Sequence, residues 1–244
     1  MLEAARTRRM FSEIAGRYDL LNHLLSFSRD RAWRRRACQM APAEPGATAL
    51  DLCAGTGDLA LEYLRQYPQV GRLVLADFAE PMLRLARQKA ARYQAANVEL
   101  ACVDALQLPF ATGAFDLVMC AFGVRNFEHP ARGLAEMARV TKPGGSLLVL
   151  EFCRSRRQGW ARPADWFIDA AVPRLGQAVS GRPGAYAYLR DSVRSFLSPG
   201  ELAGLLRQAG YDDVQYEHLT WRIVTAFVGR RAAQEAPTCA YSSR

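Results

Sequence analysis

The stretch that decides the fold is residues 50–60, which read LDLCAGTGDLA. An apolar strand runs straight into a turn with Gly55 and Gly57, and a helix is predicted to begin after Asp58. Glycine has no Cβ, so such a turn brings the backbone and the first N–H groups of a helix close to a ligand. No G-K-[ST] follows, which excludes a P-loop, and the G-x-G-x-x-G of a dinucleotide site is absent. The stretch favours a cofactor-binding turn over the alternative, an ordinary tight connection between strand and helix.

Alternating strands and helices continue from this turn. Apolar runs typical of buried strands cover residues 48–53, 72–78, 98–103, 115–121 and 146–152, and helix-spaced apolar residues separate them. Two more strands are expected at residues 214–219 and 223–228. This order predicts an α/β protein with a Rossmann-like, mostly parallel sheet of seven strands, in which the last strand is antiparallel and lies at the edge.

The remaining segments are expected to form a cover, a lid and a tail around one domain, residues 1–229. Residues 1–45 are predicted to be a helical cover, with a loop near residues 25–30. Residues 154–196 mix glycines, prolines, aromatic residues and arginines without clean alternation, which favours a lid over the substrate that also meets the membrane. The alternative is an ordinary layer covering the core. Residues 230–244 have the composition of a disordered tail.

The composition favours a globular cytoplasmic protein. Of its residues 50% are hydrophobic, and no run of roughly 18 apolar residues or secretory signal is present. The net charge is +8, but all except two of the 32 basic residues are arginine, which we interpret as composition bias rather than a nucleic-acid site. The arginine cluster at residues 29–36 is interpreted as a solvated helix face, the alternative being attraction to an anionic membrane. The six cysteines lack C-x-x-C spacing, so free thiols are expected.

Two acids at predicted strand ends indicate the kind of cofactor. Asp77 lies about 20 residues beyond the glycines, where a carboxylate accepts hydrogen bonds from both ribose hydroxyls. Asp104 follows the third strand, placed to accept from an adenine amine while Ala105 and Leu106 pack near the ring. Either acid alone is equally suited to capping a helix. Together with the turn, the two acids predict a nucleoside-bearing cofactor.

These motifs resemble those of the class I S-adenosylmethionine methyltransferases: D-x-C-x-G-x-G-D at residues 51–58, the acid Asp77, the D-A pair at 104–105, and the K-P-G-G turn at 142–145 ahead of the fifth strand. Four stretches narrow the resemblance to the C-methyltransferase family of ubiquinone and menaquinone biosynthesis: RYDLLNHLLSF (17–27), FGVRNF (122–127), KPGGSLLVLEF (142–152) and YAYLRDSVRSF (186–196). The resemblance covers roughly residues 11–229.

Three departures from the family pattern stand out. Residues 26–33 read S-F-S-R-D-R-A-W where the family usually has S-F-G-[IL]-H-R-x-W, so Asp30 takes the histidine position. Ala121 replaces a serine, and L-T-W-R at residues 219–222 replaces L-T-x-G. The departures leave the predicted cofactor site intact and concern the acceptor.

The resemblance implies methyl transfer from S-adenosylmethionine to a quinol ring carbon, without a metal. The family's Arg-Asn pair falls on Arg125 and Asn126, expected near the reacting ring, where Arg125 would stabilise a phenolate or hold a water with Asp58 as its charge partner. His23 is interpreted as a packing residue rather than a base. The predicted cofactor site consists of Tyr18, Gly55, Thr56, Gly57, Asp77, Phe78, Asp104, Ala105 and Ala121, with Asp19 helping Tyr18 to cover it.

The implied partner is a hydrophobic acceptor, a prenylated quinol, which the enzyme would meet peripherally at the inner face of the membrane. No nucleic-acid partner is expected, and a homo-oligomer is left open. Two alternatives remain at this point. One is methyl transfer to another aromatic or natural-product carbon, and the other is a cofactor-binding scaffold of a quinone-synthesis complex that has lost turnover.

Overall fold

A seven-stranded mixed sheet forms the centre of the protein, whose computed structural model describes residues 2–153 and 191–233. The strands are β1 (Thr48–Leu52), β2 (Arg72–Asp77), β3 (Val98–Cys102), β4 (Phe115–Ala121), β5 (Thr141–Phe152), β6 (Tyr211–Leu219) and β7 (Val224–Arg231). They lie in the order β3-β2-β1-β4-β5-β7-β6. The first five pair in parallel, whereas β7 is antiparallel to both β5 and β6. The predicted α/β sheet with an antiparallel last strand is confirmed.

The antiparallel strand does not lie at the edge of the sheet, where the sequence suggested it. It lies between β5 and β6, and β6 forms the edge. Most residues of β7 are buried, whereas β6 exposes Asp212, Asp213, Gln215 and Tyr216. A central strand is covered on both faces and an edge strand meets water, so the apolar β7 is suited to the inner position and the polar β6 to the edge.

Helices cover both faces of the sheet. They are α1 (Leu2–Leu25), α2 (Arg29–Met40), α3 (Asp58–Gln66), α4 (Glu80–Arg92), α5 (Pro130–Val140) and α6 (Pro199–Gln208), with a short 3₁₀ turn at Val124–Asn126. Start signals in the sequence explain several of them: α4, α5 and α6 carry proline in their first turn, and Ser198 and Glu201 form a capping box on α6.

The core has two layers, one on each face of the sheet. Side chains from α2, α3 and α4 pack on one face, and those of α5 and α6 pack on the other. Because side chains alternate along a strand, Leu50 and Leu52 face the α5–α6 layer, whereas Ala49 faces the α2–α4 layer. Asp51 shares the side of Ala49, where its Oδ2 accepts a hydrogen bond from the backbone N–H of Ala60 in α3 at 3.2 Å.

The K-P-G-G motif lies inside β5 rather than ahead of it. The strand begins at Thr141 instead of Ser146, and its register with β4 jumps from Phe115↔Thr141 to Leu117↔Ser146. The residues between are bulged out of the ladder, with Gly144 at a φ of 72°. The Lys142 ammonium lies 2.8 Å from the Asp116 carboxylate and holds the bulge against β4.

The structure describes only part of the predicted lid and tail. Residues 154–190 of the lid lie outside the described residues, and of the remainder Val193 and Phe196 are buried. β7 continues to Arg231, so the first two residues assigned to the tail belong to the sheet, while residues 234–244 lie outside the described residues. Within the described part of the chain, the five cysteines are free thiols, and no helix is long and apolar enough to cross a bilayer.

Candidate active site

The turn after β1 lies at the point where the strand order of the sheet reverses, between β1 and β4. β1 is flanked by β2 and β4, and the chain leaves these strands toward helices on opposite faces, which opens a crevice at their carboxyl ends. Gly55 and Gly57 adopt φ values of 55° and 85°, left-handed conformations that favour glycine. A Cβ on Gly57 would lie 3.0 Å from Leu75, whereas one on Gly55 would meet, among the described residues, only Tyr18, at 4.0 Å. The turn therefore packs tightly at Gly57 and leaves room at Gly55.

Asp77 holds this turn in place from the end of β2. Its Oδ2 accepts a hydrogen bond from the N–H of Gly55 at 2.9 Å, and its Oδ1 accepts from the N–H of Ala79 at 2.8 Å. The side chain is buried, and burial raises the pKa of Asp77 although these backbone donors oppose the shift. Asp77 thus has a structural role that the sequence did not reveal, beside the predicted cofactor contact.

A cavity of about 470 Å³ opens at the strand ends, a volume typical of small-molecule sites. Eight of the predicted site residues line it: Tyr18, Gly55, Asp77, Phe78, Asp104, Ala105, Ala121 and Asn126. Ten further residues share the wall: Leu52, Cys53, Met82, Cys102, Val103, Leu106, Phe122, Gly123, Phe127 and Glu128. Sequence patterns brought the first group together from five separate segments of the chain.

Thr56, Gly57 and Asp58 do not line this cavity, although the sequence assigned them to the site. The Thr56 side chain is buried behind the turn, where its hydroxyl donates to Asp19 at 2.5 Å and accepts from Lys89 at 2.9 Å. Thr56, Gly57 and Asp58 shape the turn and its attachment to neighbouring helices. Direct contact of these three residues with a cofactor stays a prediction.

A network of ion pairs ties α1 and α2 to the turn. The Lys89 ammonium on α4 lies 2.6 Å from Asp19 and 2.5 Å from Asp58. Arg34 on α2 lies 3.5 Å from Asp58 and also bonds Asp30. Burial alone would raise the pKa of Asp58, but Arg34 and Lys89 outweigh it and hold that pKa below its usual range. The network fastens the N-terminal helices beside the cavity.

Asp30, which takes the family's histidine position, is the buried end of this network. It accepts hydrogen bonds from Ser26 and Arg34, and His23 Nδ1 lies 2.8 Å from its Oδ2. Ligand atoms of His23, Asp30 and Asp58 lie within 4.8 Å of one another. Arg34 and Lys89 are the cations that face these carboxylates, so the group is an ion-pair cluster that includes His23.

Arg125 pairs with Glu151, which corrects the expectation that Asp58 would be its charge partner. One guanidinium nitrogen donates to Glu151 Oε1 at 2.6 Å and to the Phe122 carbonyl at 2.6 Å. The backbone N–H of Arg125 donates to the other Glu151 oxygen at 3.2 Å. The two side chains are 6% and 0% exposed, and Arg125 is not among the residues that line the cavity. The guanidinium lies behind the wall, while Asn126 is part of it.

Glu151 is a candidate site residue that the sequence analysis missed, and a signal for it was present. It stands at the end of the apolar strand residues LLVLEF, where an ionised carboxylate needs a buried partner. Phe122 was also missed. It adopts a φ of 56°, and its ring packs against Phe152 at a centroid distance of 4.7 Å, so an aromatic pair flanks Arg125 next to the cavity.

Comparisons with known proteins agree on one family and one fold. The model of the ubiE/COQ5 methyltransferase family matches residues 1–231. A demethylmenaquinone methyltransferase of Thermus thermophilus is 46% identical to this chain, and the aligned region covers 91% of this chain and 100% of the relative. A ubiquinone/menaquinone biosynthesis C-methyltransferase UbiE of Geobacter sulfurreducens is 41% identical, covering 93% of this chain and 88% of its own.

Solved structures resemble the chain in fold alone. A SAM-dependent methyltransferase from Aquifex aeolicus superposes with a TM-score of 0.62 at 18% identity, covering 87% of this chain and 97% of its own. The [4+2]-cyclase SpnF superposes with a TM-score of 0.64, also at 18% identity, covering 84% of this chain and 81% of its own. The same architecture therefore carries different chemistry, and function has to be argued from the site.

Proposed function

The chain belongs to the ubiE/COQ5 methyltransferase family, and we propose that it transfers the methyl group of S-adenosylmethionine to a ring carbon of a quinol in menaquinone or ubiquinone biosynthesis. The names of the relatives support a demethylated menaquinol or a similar quinol as the acceptor. The methyltransferase class follows from the family; the cofactor and the acceptor are what we propose.

One observation carries the proposal: a single cavity joins the two halves of the predicted site. Asp77 and Asp104 stand on the wall formed after β2 and β3, and Phe122 and Asn126 stand on the wall formed after β4. A cofactor held on the first wall and a ring held against the second would meet in the same cavity. Such an arrangement suits direct transfer between two bound reactants.

The residues present fit an adenosyl cofactor. Gly55 leaves the backbone of the turn open to a ligand, since no atom of residues 2–153 and 191–233 would lie closer than 4.0 Å to a Cβ there. Asp77 stands beside it on the cavity wall, where its carboxylate can accept a hydrogen bond from a ribose hydroxyl. Phe78, Met82 and Leu106 supply the apolar surface that an adenine ring requires. The acids on the wall also suit a cationic ligand.

The chain's own residues then have to align the acceptor, exclude water and favour its deprotonated form. When bound, S-adenosylmethionine supplies a methyl group already activated on a sulfonium. A quinol carbon becomes nucleophilic when the neighbouring hydroxyl loses its proton, so a donor aimed at the resulting oxyanion promotes transfer. Asn126 is placed on the wall to be that donor.

Arg125 acts as a positioning residue in this proposal. Its guanidinium and the Asn126 amide both donate to the Phe122 carbonyl, at 2.6 and 3.3 Å. Glu151 holds the guanidinium from the other side. This arrangement fixes the orientation of Asn126 and keeps the Arg125 charge close to the cavity without placing it in the wall.

Transfer of a labelled methyl group tests the proposal. The full chain would be incubated with methyl-labelled S-adenosylmethionine and chemically reduced, water-soluble demethylated naphthoquinol or benzoquinol, and label bound to ring carbon would be measured by mass spectrometry. We expect label in at least one quinol, and a loss of turnover of about tenfold or more for Asn126→Ala, worth roughly 1.4 kcal/mol, with cofactor affinity unchanged.

A matched amide substitution provides the control. Gln69→Ala removes an exposed amide that donates to the Ala43 carbonyl away from the cavity, and it should leave turnover unchanged. A protein that binds the cofactor yet labels neither quinol contradicts the proposal and supports the scaffold alternative. Label on another aromatic carbon compound alone would support the alternative acceptor.

A further inference from the structure

An exposed apolar surface lies on α1 and on the turn between β6 and β7. Leu20, Leu24 and Phe27 follow one another at helical spacing, and Phe27 is 72% exposed. Trp221, in the turn after β6, is 78% exposed. The Arg29 guanidinium lies 5.8 Å from the centre of the Trp221 ring, which joins the two segments in space. We name these four apolar residues, with Arg29 and Arg222, the outer surface.

The outer surface lies on the side of α1 that faces away from the cavity. Tyr18 lines the cavity, and Ala15 packs against Ala79 and Met82. At 100° per residue, Leu20 and Leu24 point to the opposite side of the helix. One helix, about 10 Å across, therefore separates the outer surface from the cavity wall.

A second link runs from the outer surface to the cavity through Trp33. Its indole N–H donates to the Thr220 hydroxyl at 2.7 Å, which anchors the turn that carries Trp221. The same indole packs against Phe122, with ring centres 6.4 Å apart, and Phe122 lines the cavity. The outer surface is thus built onto the site rather than onto a remote part of the fold.

The charge of the outer surface is positive. Arg29 and Arg222 are exposed, and the described residues place no carboxylate in an ion pair with either. Their neighbours on α2 differ, because Arg35 pairs with Glu62 and Arg36 pairs with Glu217. The two arginines beside the exposed aromatic rings are therefore available to an anionic partner, and the whole chain, at +8, adds to the attraction.

The backbone at both segments is one that side chains disfavour. Phe27 and Ser28 have φ values of 51° and 58°, and Thr220, Trp221 and Arg222 have values of 36°, 50° and 67°. Ser28 and Arg222 occupy the two positions where the family pattern has glycine, the residue suited to this conformation. Ser28 and Arg222 therefore carry side chains in strained left-handed turns, and both turns belong to the outer surface.

From these features we infer that the outer surface docks the enzyme on an anionic phospholipid bilayer. Exposed aromatic and leucine side chains beside arginines are what an interfacial contact requires, since the rings enter the headgroup region and the cations meet the phosphates. The inference rests on the proposed function in one respect, because docking on a bilayer serves an enzyme whose quinol substrate lies in that bilayer. The contact would bring the lipid within one helix of the cavity.

Co-sedimentation of the full chain with vesicles tests the docking. The vesicles would be phosphatidylcholine with a quarter phosphatidylglycerol, compared with phosphatidylcholine alone. We expect binding to the anionic vesicles only, a loss of roughly tenfold for Phe27→Ser and for Trp221→Ser, and about fivefold for Arg29→Gln. Tyr93→Ser is the matched control, because Tyr93 is an aromatic residue exposed elsewhere, at the end of α4, and it should bind as the unchanged chain does.

Arg222→Gly separates docking from folding. Glycine relieves the left-handed strain, so Tm should not fall, while vesicle binding should weaken about fivefold. Equal binding by all variants, equal binding to neutral vesicles, or variants that abolish self-association instead of vesicle binding would each overturn the inference. Sedimentation needs no turnover: a chain that methylates a water-soluble quinol but does not pellet refutes only the docking, and one that pellets without methylating refutes only the proposed function.

Discussion

Replacing Glu151 with glutamine tests whether the buried Arg125–Glu151 ion pair positions Asn126 on the wall of the cavity. Glu151 is fully buried, and its two oxygens accept from the guanidinium and backbone of Arg125 and from the N–H of Phe152. Glutamine keeps one oxygen but turns an amide nitrogen toward a donor, and it leaves the guanidinium uncompensated. Breaking a buried pair in this way costs about 3–5 kcal/mol. For a domain of this size, that corresponds to a fall in Tm of roughly 6–20 °C.

Thermal unfolding with a matched surface variant makes this measurement decisive. Arg72 and Glu99 form a bidentate pair of the same chemistry between β2 and β3, but their side chains are 44% and 56% exposed. Glu99→Gln should cost at most about 1 kcal/mol, since water screens an exposed pair. The double variant Glu151→Gln with Arg125→Met removes both charges and should recover part of the lost Tm.

Activity completes this test. Glu151→Gln should lower kcat for the quinol more than it changes cofactor affinity, because the pair positions Asn126 and not the wall at Asp77. Equal Tm values for Glu151→Gln and Glu99→Gln, or a double variant less stable than the single one, would refute the reasoning.

Three other substitutions probe the cofactor side and the charges. Burial is the main cause that raises the pKa of Asp51 to about 8, so between pH of about 4 and about 8 the folded chain holds a proton that the unfolded chain has released, and the free energy of unfolding falls as pH rises. Asp51→Asn removes this titrating group and should flatten that pH dependence; an unchanged slope in denaturant titrations across this pH range would contradict this. Asp77→Ala should weaken S-adenosylmethionine binding roughly tenfold to a hundredfold by calorimetry and also lower Tm, since two backbone donors lose their acceptor; unchanged affinity in a folded variant counts against the assignment. Arg125→Lys should lower turnover while cofactor affinity stays near that of the unchanged chain, because the lysine side chain ends one bond short of the guanidinium nitrogen that donates to both Glu151 and the Phe122 carbonyl; full turnover would show that charge alone suffices.

Predictions that depended on neighbours along the chain agree well with the structure. The strand, turn and helix around Gly55 are set by apolar alternation and by glycine, both of which act over a few residues. Parallel strands bring their carboxyl ends to one edge, so Asp77, Asp104 and Asn126 were placed together without knowledge of any contact. The predicted start of β5 was wrong by five residues, because the bulge between Thr141 and Ser146 interrupts the apolar pattern by which the strand was predicted.

Predictions about partners between distant segments agree less well. Asp58 was predicted to be the charge partner of Arg125, but Lys89 and Arg34 reach Asp58 from other helices. The role of Asp77 in fixing the turn was also hidden, because it requires the Gly55 N–H to arrive 22 residues away along the chain. Residues 154–190 lie outside the described residues, so the lid stays a prediction.

By itself the sequence determined the order of elements, the glycine turn after the first strand and the family, because periodicity, glycine spacing and motif order are properties of the linear chain. Only the tertiary structure decided which charge compensates Arg125, which strand forms the edge, and which apolar residues remain outside the core. These outcomes depend on distance: β5 brings Glu151 beside Arg125 from 26 residues away, and the packing of α1 on α4 leaves Leu20, Leu24 and Phe27 facing outward. Ion pairing and burial are set by neighbours in space, which a one-dimensional pattern does not specify.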